Sequence, residues 1–139
     1  MRISYSEDEE YGGQFELWQA NCQRSLRGKK GQAELRVLRD ALLALPEKRL
    51  ISGALERDGD VCAIACYGKF KGIDLEPFKS QPDDWDEDDI ESDQVGIEGG
   101  MPRLVAWKVV EMNDMEFDHL SPEKRYERML AWVERQLSA

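Results

Sequence analysis

Apolar positions along this chain recur mostly at helical spacing. In "GQFELWQANCQRSLR" (13–27), Phe15, Trp18, Cys22 and Leu26 fall on one stripe, which predicts an amphipathic helix. "GKKG" at 28–31 predicts a break. "QAELRVLRDALLAL" resumes the period, with Leu35, Leu38, Leu42 and Leu45 on one face and Arg36 and Arg39 turned away. Pro46 ends that helix, because its ring clashes with the preceding turn. The two segments predict an antiparallel helical hairpin.

The stretch "RLISGALERDGDVCAIACYGKFKG" reads two ways. "RDGD" is a turn signal that two strands could flank. Asp60 as an N-cap and Gly72 as a stop instead frame a helix over 61–71. The preferred reading is a short extended piece near 50–56 followed by that helix. Residues 73–83, with Pro77 and Pro82, read as loop. Ile90 and Val95 then suggest a short helix starting among aspartates, where negative charge favours the helix dipole. "MPRLVAWKVVEM" is apolar almost all round, with Pro102 at a first helical position, so a central, buried helix is expected. "NDMEFDHL" is a connection. "SPEKRYERMLAWVERQL" is the clearest helix: Ser121 caps, Pro122 opens, Glu123 suits the first turn, and Tyr126, Met129, Leu130, Val133 and Leu137 form the stripe.

These elements add up to a mainly α fold, a single compact domain of five or six helices with at most a small β element. The domain occupies 13–139 behind an acidic segment at 1–12 and carries an acidic loop at 81–94. A chain of 139 residues is long enough to bury a core without disulfides or metals. No apolar run approaches a bilayer span, and "MRISYSEDEE" lacks the apolar stretch of a leader, so a cytoplasmic location is expected. The three cysteines fit free, buried thiols in a reducing compartment.

Charge is the most informative departure from an ordinary helical domain. The net charge of −10 argues against nucleic acid or anionic lipid as a direct ligand. It is unevenly spread. Residues 24–49 hold eight basic side chains against three acidic ones, a surplus of five positive charges that leaves −15 for the remainder. "QPDDWDEDDIESDQ" (81–94) has eight carboxylates in fourteen positions and no base. The candidate partner-binding residues are therefore Asp83, Asp84, Trp85, Asp86, Glu87, Asp88 and Asp89, and on the opposite sign Arg24, Arg27, Lys29 and Lys30. Carboxylates spaced this way can imitate phosphate before a cationic groove, and Trp85 would supply an apolar anchor. A solvated acidic surface is the plainer alternative.

Other chemistry fits less well. Aligned as a calcium loop, the run puts Asp89 where the turn needs glycine and Val95 where a bidentate glutamate belongs. Cys22, Cys62, Cys66 and His119 are four potential zinc ligands, but without close C-x2-C knuckles they read as buried thiols and a lone imidazole. "SDQVGIEGGMPRLVAWKV" hints at helix-turn-helix, yet its second helix offers a groove only Arg103 and Lys108. The basic segment 24–49 is the credible phosphate-contacting face. "GIEGGMP" lacks the Lys and Ser/Thr of a phosphate loop, and no nucleophile–base–orienter set can be assembled from spacing. No catalytic residue, metal or cofactor is assigned.

The blocks "GQAELRVLRDALLALPEKRLI", "DGDVCAIACYGKFKG", "VGIEGGMPRLVAWKVVEMND" and "SPEKRYERMLAWVERQL", in that order, resemble a family of small uncharacterised proteins carried by bacteriophages, prophages and bacterial genomes. The resemblance covers about residues 13–137 and implies a setting, a bacterial cytoplasm during infection or in a mobile element. It brings no site residues. Taken with the charge pattern, it leads to an expected accessory protein that binds a host protein or ribonucleoprotein complex, of which an anti-CRISPR-type inhibitor is the sharpest version. A DNA-binding regulator using 24–49 and a small enzyme are the alternatives, and the basic face would also suit a homodimer or a second partner.

Overall fold

Two sixteen-residue helices open the fold: α1 spans Gly12–Arg27 and α2 spans Lys29–Ala44. The computed structural model describes residues 12–79 and 92–137, with side chains from residue 16 onward. Gly28 alone separates α1 from α2, in extended backbone (φ −65°, ψ 162°). The break expected over 28–31 is thus one residue long. Gly31 explains why. A Cβ there would lie 2.0 Å from the Ser25 carbonyl oxygen, so only glycine lets the first turn of α2 lie against the last turn of α1. Gln32 closes the corner. Its buried Nε2 donates to the Leu26 carbonyl at 2.7 Å, satisfying one of the free carbonyls at the α1 terminus, and to the Gln136 carbonyl at 2.8 Å. Helix α2 ends at Leu45, forced into extended backbone (ψ 130°) by Pro46.

Both readings of residues 50–71 are realised. Strands β1 (Glu56–Arg57) and β2 (Asp60–Val61) pair antiparallel, with Glu56 opposite Val61 and Arg57 opposite Asp60. The two-residue turn between them holds Asp58 and Gly59 at positive φ (54° and 87°), the conformation a tight hairpin requires. Helix α3 (Ala63–Phe70) follows at once and is buried from Ala63 to Gly68. Its N-cap position is Cys62, two residues beyond the expected Asp60, whose carboxylate instead accepts from Arg49 Nε at 2.7 Å. The Ala63 amide is capped from elsewhere, by Asn113 Oδ1 at 3.1 Å. Gly72 stops the helix as expected: its amide and that of Ile73 return to the carbonyls of Lys69 and Gly68.

A single 3-10 turn (Glu76–Phe78) leads to the last residue described before the acidic stretch. Helix α4 is described over Asp93–Gly99, and α5 (Arg103–Glu111) follows after Gly100, Met101 and Pro102. Pro102 sits at the N-cap, one residue earlier than predicted. The expected connection after α5 is a π-helical turn, Met112–Glu116. Helix α6 (Pro122–Gln136) starts as read, with Ser121 Oγ accepting from the Lys124 amide at 3.2 Å.

The helices enclose one core. Leu26, Leu35, Leu38, Leu42, Ile64, Tyr67, Val105, Val109, Met129 and Val133 are all essentially inaccessible. Each aliphatic side chain of this kind stabilises the fold by about 1.5–3 kcal/mol. Helix α5 is central as predicted: α1, α3 and α4 pack on it. Its Trp107 meets Trp18 of α1 edge to face, with ring centroids 4.2 Å apart. Arg125 of α6 is buried and donates Nη1 to the Leu50 carbonyl (2.7 Å), Nη2 to Asp118 and Leu120 (both 2.8 Å), and Nε to Phe117 (3.1 Å). This fork ties α6 to two loops. Among the described residues no helix is long and apolar enough to cross a membrane.

Candidate functional site

The corner between α1 and α2 gathers positive charge because two helix ends meet there. Arg24 and Arg27 lie in the last turn of α1, and Lys29 and Lys30 in the first turn of α2. All four are exposed. Arg24 donates to the neutral Asn21 side chain. Among the described residues no carboxylate lies within ion-pair distance of Arg27 or Lys29. Gly28 provides no side-chain cap, and the first turn of α2 has no acid to offset the helix dipole.

Directly behind this corner lies a polar cluster that the sequence reading left out. Glu34 is 6% exposed, on the inner face of α2. Tyr67 of α3, fully buried, donates its hydroxyl to Glu34 Oε1 at 2.5 Å. Lys71, just past α3, reaches the same oxygen at 3.3 Å, and Lys30 approaches Oε2 at 3.7 Å. The α4–α5 connection packs on both: a Cβ at Gly99 would strike the Tyr67 ring at 2.5 Å, and Gly100, at φ 110°, faces the Glu34 carboxylate. Burial pushes the Glu34 carboxyl up. The hydrogen bonds from Tyr67 and Lys71, with the charges of Lys71 and Lys30, outweigh it and hold the group below the usual carboxylate range. Burial, then the Glu34 hydrogen bond, raise the Tyr67 phenol far above its usual value. The phenol is therefore a fixed donor and Glu34 a fixed anion at neutral pH. One carboxylate shared by two ammonium groups leaves surplus positive charge. Lys71 thereby extends the corner from α2 to the end of α3.

The remaining candidates separate. Asp83, Asp84, Trp85, Asp86, Glu87, Asp88 and Asp89 lie outside the described residues. Cys22, Cys62 and Cys66 are buried, whereas the His119 side chain is 72% exposed. Among the described residues no group of three or more His, Cys, Asp or Glu is placed to hold a metal ion. Desolvation pushes both the Cys62 and the Cys66 thiol up to about 12 and also raises Cys22, so these sulfurs stay protonated and poorly nucleophilic. Helices α4 and α5 do form a helix–turn–helix pair with a three-residue connection. However, Val105, Ala106 and Val109 are buried, Trp107 lies on α1, and Lys108 is bound to Glu111 (2.7 Å) and Gln19 (3.2 Å). Only Arg103 of its cations is left for a groove.

Glu34 and Lys71 were missed for an identifiable reason. Positions 31, 34, 38 and 41 share the core stripe of α2, so Glu34 was readable as inward-facing. A carboxylate on such a stripe signals a buried partner. Lys71, by contrast, is 37 residues away and carries no local signal. No protein family, curated protein or solved structure matches this chain.

Proposed function

We propose that this protein works without catalysis, as a binding protein of a phage or mobile element that blocks a host protein or ribonucleoprotein complex. The reading rests chiefly on one observation: charge is segregated within a single small domain. Four exposed cations occupy one corner, while seven carboxylates and no base fall within residues 83–91. Crowding like charge opposes folding, so a partner of opposite charge is the natural reason to keep it. The acidic stretch with Trp85 engages a basic, nucleic-acid-binding groove on the host complex, acting by steric and electrostatic block. An anti-CRISPR-type inhibitor in a bacterial cytoplasm is the sharpest form of this proposal, and the phage setting is carried by the block resemblance alone.

Affinity capture from a bacterial lysate, read by mass spectrometry, tests it. Replacing the aspartates at 83, 84, 86, 88 and 89 with Asn should release a partner that the parent chain retains, with helical circular dichroism unchanged. Equal retention by the substituted chain refutes the acidic face as the contact. A regulator reading is favoured by the basic corner. It predicts instead a heparin-retained protein and a duplex shift that disappears with Lys29→Ala and Lys30→Ala.

A further inference from the structure

We propose that the basic corner, together with the outer side of α2, docks the phosphodiester backbone of nucleic acid. Residues 17–39 contain a single carboxylate, Glu34, although acids make up about one residue in five of the chain. Glu34 is buried, so the solvent side of this stretch carries cations and no acid. Arg24, Arg27, Lys29, Lys30 and Arg36 are all exposed there. Among the described residues no carboxylate lies within ion-pair distance of Arg27, Lys29 or Arg36. Lys71 joins them from the end of α3, because it shares Glu34 with Lys30 at 3.3 and 3.7 Å. Asp40, paired with Arg39 at 3.5 Å, marks the far edge. The backbone fixes the array. Gly28 is the whole link between α1 and α2, Gly31 lets their ends close, and Gln32 ties α2 to the Leu26 carbonyl. Lys29 and Arg36 lie two turns apart on α2, about 10 Å along its axis. The first turn of α2 has neither a capping side chain nor an acid, so the positive end of its dipole adds to the same surface.

The chemistry of the surface selects its occupant. A protein partner needs apolar anchors that fill pockets. The large apolar side chains exposed among the described residues are Leu17, Leu43, Phe70 and Met115, and none lies between residues 18 and 42. A surface of charge alone fits a polyanion, whose binding comes from counterion release rather than from packing. Nucleic acid is the densest such polymer, with one charge per about 1.7 Å of duplex against one per about 3.3 Å of an extended acidic peptide. The net charge of −10 repels any polyanion at long range, so binding is weak and depends on these few cations.

The inference rests on the regulator reading for its ligand class and adds which residues make the contact; it requires no preferred sequence. The test titrates a fluorescein-labelled random-sequence duplex with the intact chain and follows anisotropy. In about 0.05 M salt the duplex should bind, and log affinity should fall against log salt with a slope of about −3 to −4, as for about four phosphates. Lys29→Gln with Arg36→Gln should weaken binding about tenfold and reduce the slope by about 2. Arg24→Gln with Arg27→Gln should do the same, so neither result hangs on one variant. The charge-matched control is Arg57→Gln with Lys124→Gln, exposed on the hairpin and at the start of α6. It should change affinity less than about twofold. All six positions are exposed, so helical circular dichroism should persist. Polyglutamate of equal total charge should displace the duplex only poorly. A duplex that does not bind in about 0.05 M salt, a control that loses as much as the paired variants, or polyglutamate that competes as well as unlabelled duplex would each overturn the proposal. A search that finds no preferred sequence would end the regulator reading, and a failed host capture the inhibitor reading, with these outcomes untouched.

Discussion

Replacing Glu34 by Gln probes the cluster that joins the basic corner to the core. The substitution keeps size and an acceptor oxygen for Tyr67 but removes the charge that Lys71 meets at 3.3 Å and Lys30 at 3.7 Å. A hydrogen bond to a charged group contributes about 1.5–3 kcal/mol. The exposed Lys30 leg adds little, because solvent screens it. Glu34→Gln should therefore lower stability by about 2–3 kcal/mol at about pH 7, a sizeable part of the 5–15 kcal/mol expected for a domain. The sign with pH follows from linkage. The folded carboxyl titrates below its unfolded value, so its contribution is present above the unfolded pKa and is lost as pH falls through the folded one. Urea unfolding followed by tryptophan fluorescence at a series of pH values reads both effects. The parent chain should lose stability on acidification more steeply than Glu34→Gln, and the two curves should converge at low pH. A loss under about 0.5 kcal/mol, or parallel pH curves, would refute the claim that Glu34 is held as a buried anion.

Three further outcomes are expected. Arg125→Met should cost about 3–5 kcal/mol in the same assay, because it strands the carbonyls of Leu50, Phe117, Asp118 and Leu120. Gly31→Ala should destabilise by at least about 1–3 kcal/mol, since its methyl meets the Ser25 carbonyl at 2.0 Å; a neutral result would deny the tight corner. Cys22, Cys62 and Cys66 should react with a thiol reagent at about pH 8 only as fast as the protein opens, and all at once in denaturant.

Most of the helical framework was legible because its signals are local. Ser121 and Pro122 announce α6, Pro46 ends α2 and Gly72 ends α3, each through its own backbone chemistry. Where the reading slipped, a distant contact had replaced a local rule. Gly31 looks like a breaker but serves a helix crossing. Asp60 looks like a cap but is taken by Arg49, and Asn113 caps α3 from 50 residues away. Strand and helix signals around "RDGD" competed only on the assumption of one element, and the chain fits both into 56–70. Arg125 and Trp132 were not counted in the predicted α6 stripe, yet both are buried, one feeding loop carbonyls and the other widening the apolar face. Of the candidate site, the four basic residues were legible from sequence clustering. The buried carboxylate behind Lys30 was not, because its nearer partners, Tyr67 and Lys71, come from α3 and the residue just beyond it.

The most direct measurement of the account is the salt dependence of partner capture by the immobilised chain. If segregated charge drives binding, the host protein retained in about 0.1 M salt should elute steadily as salt rises toward about 1 M, and earlier from the Asn-substituted chain. A partner held undiminished through that range, and equally by both chains, would show that another surface does the binding.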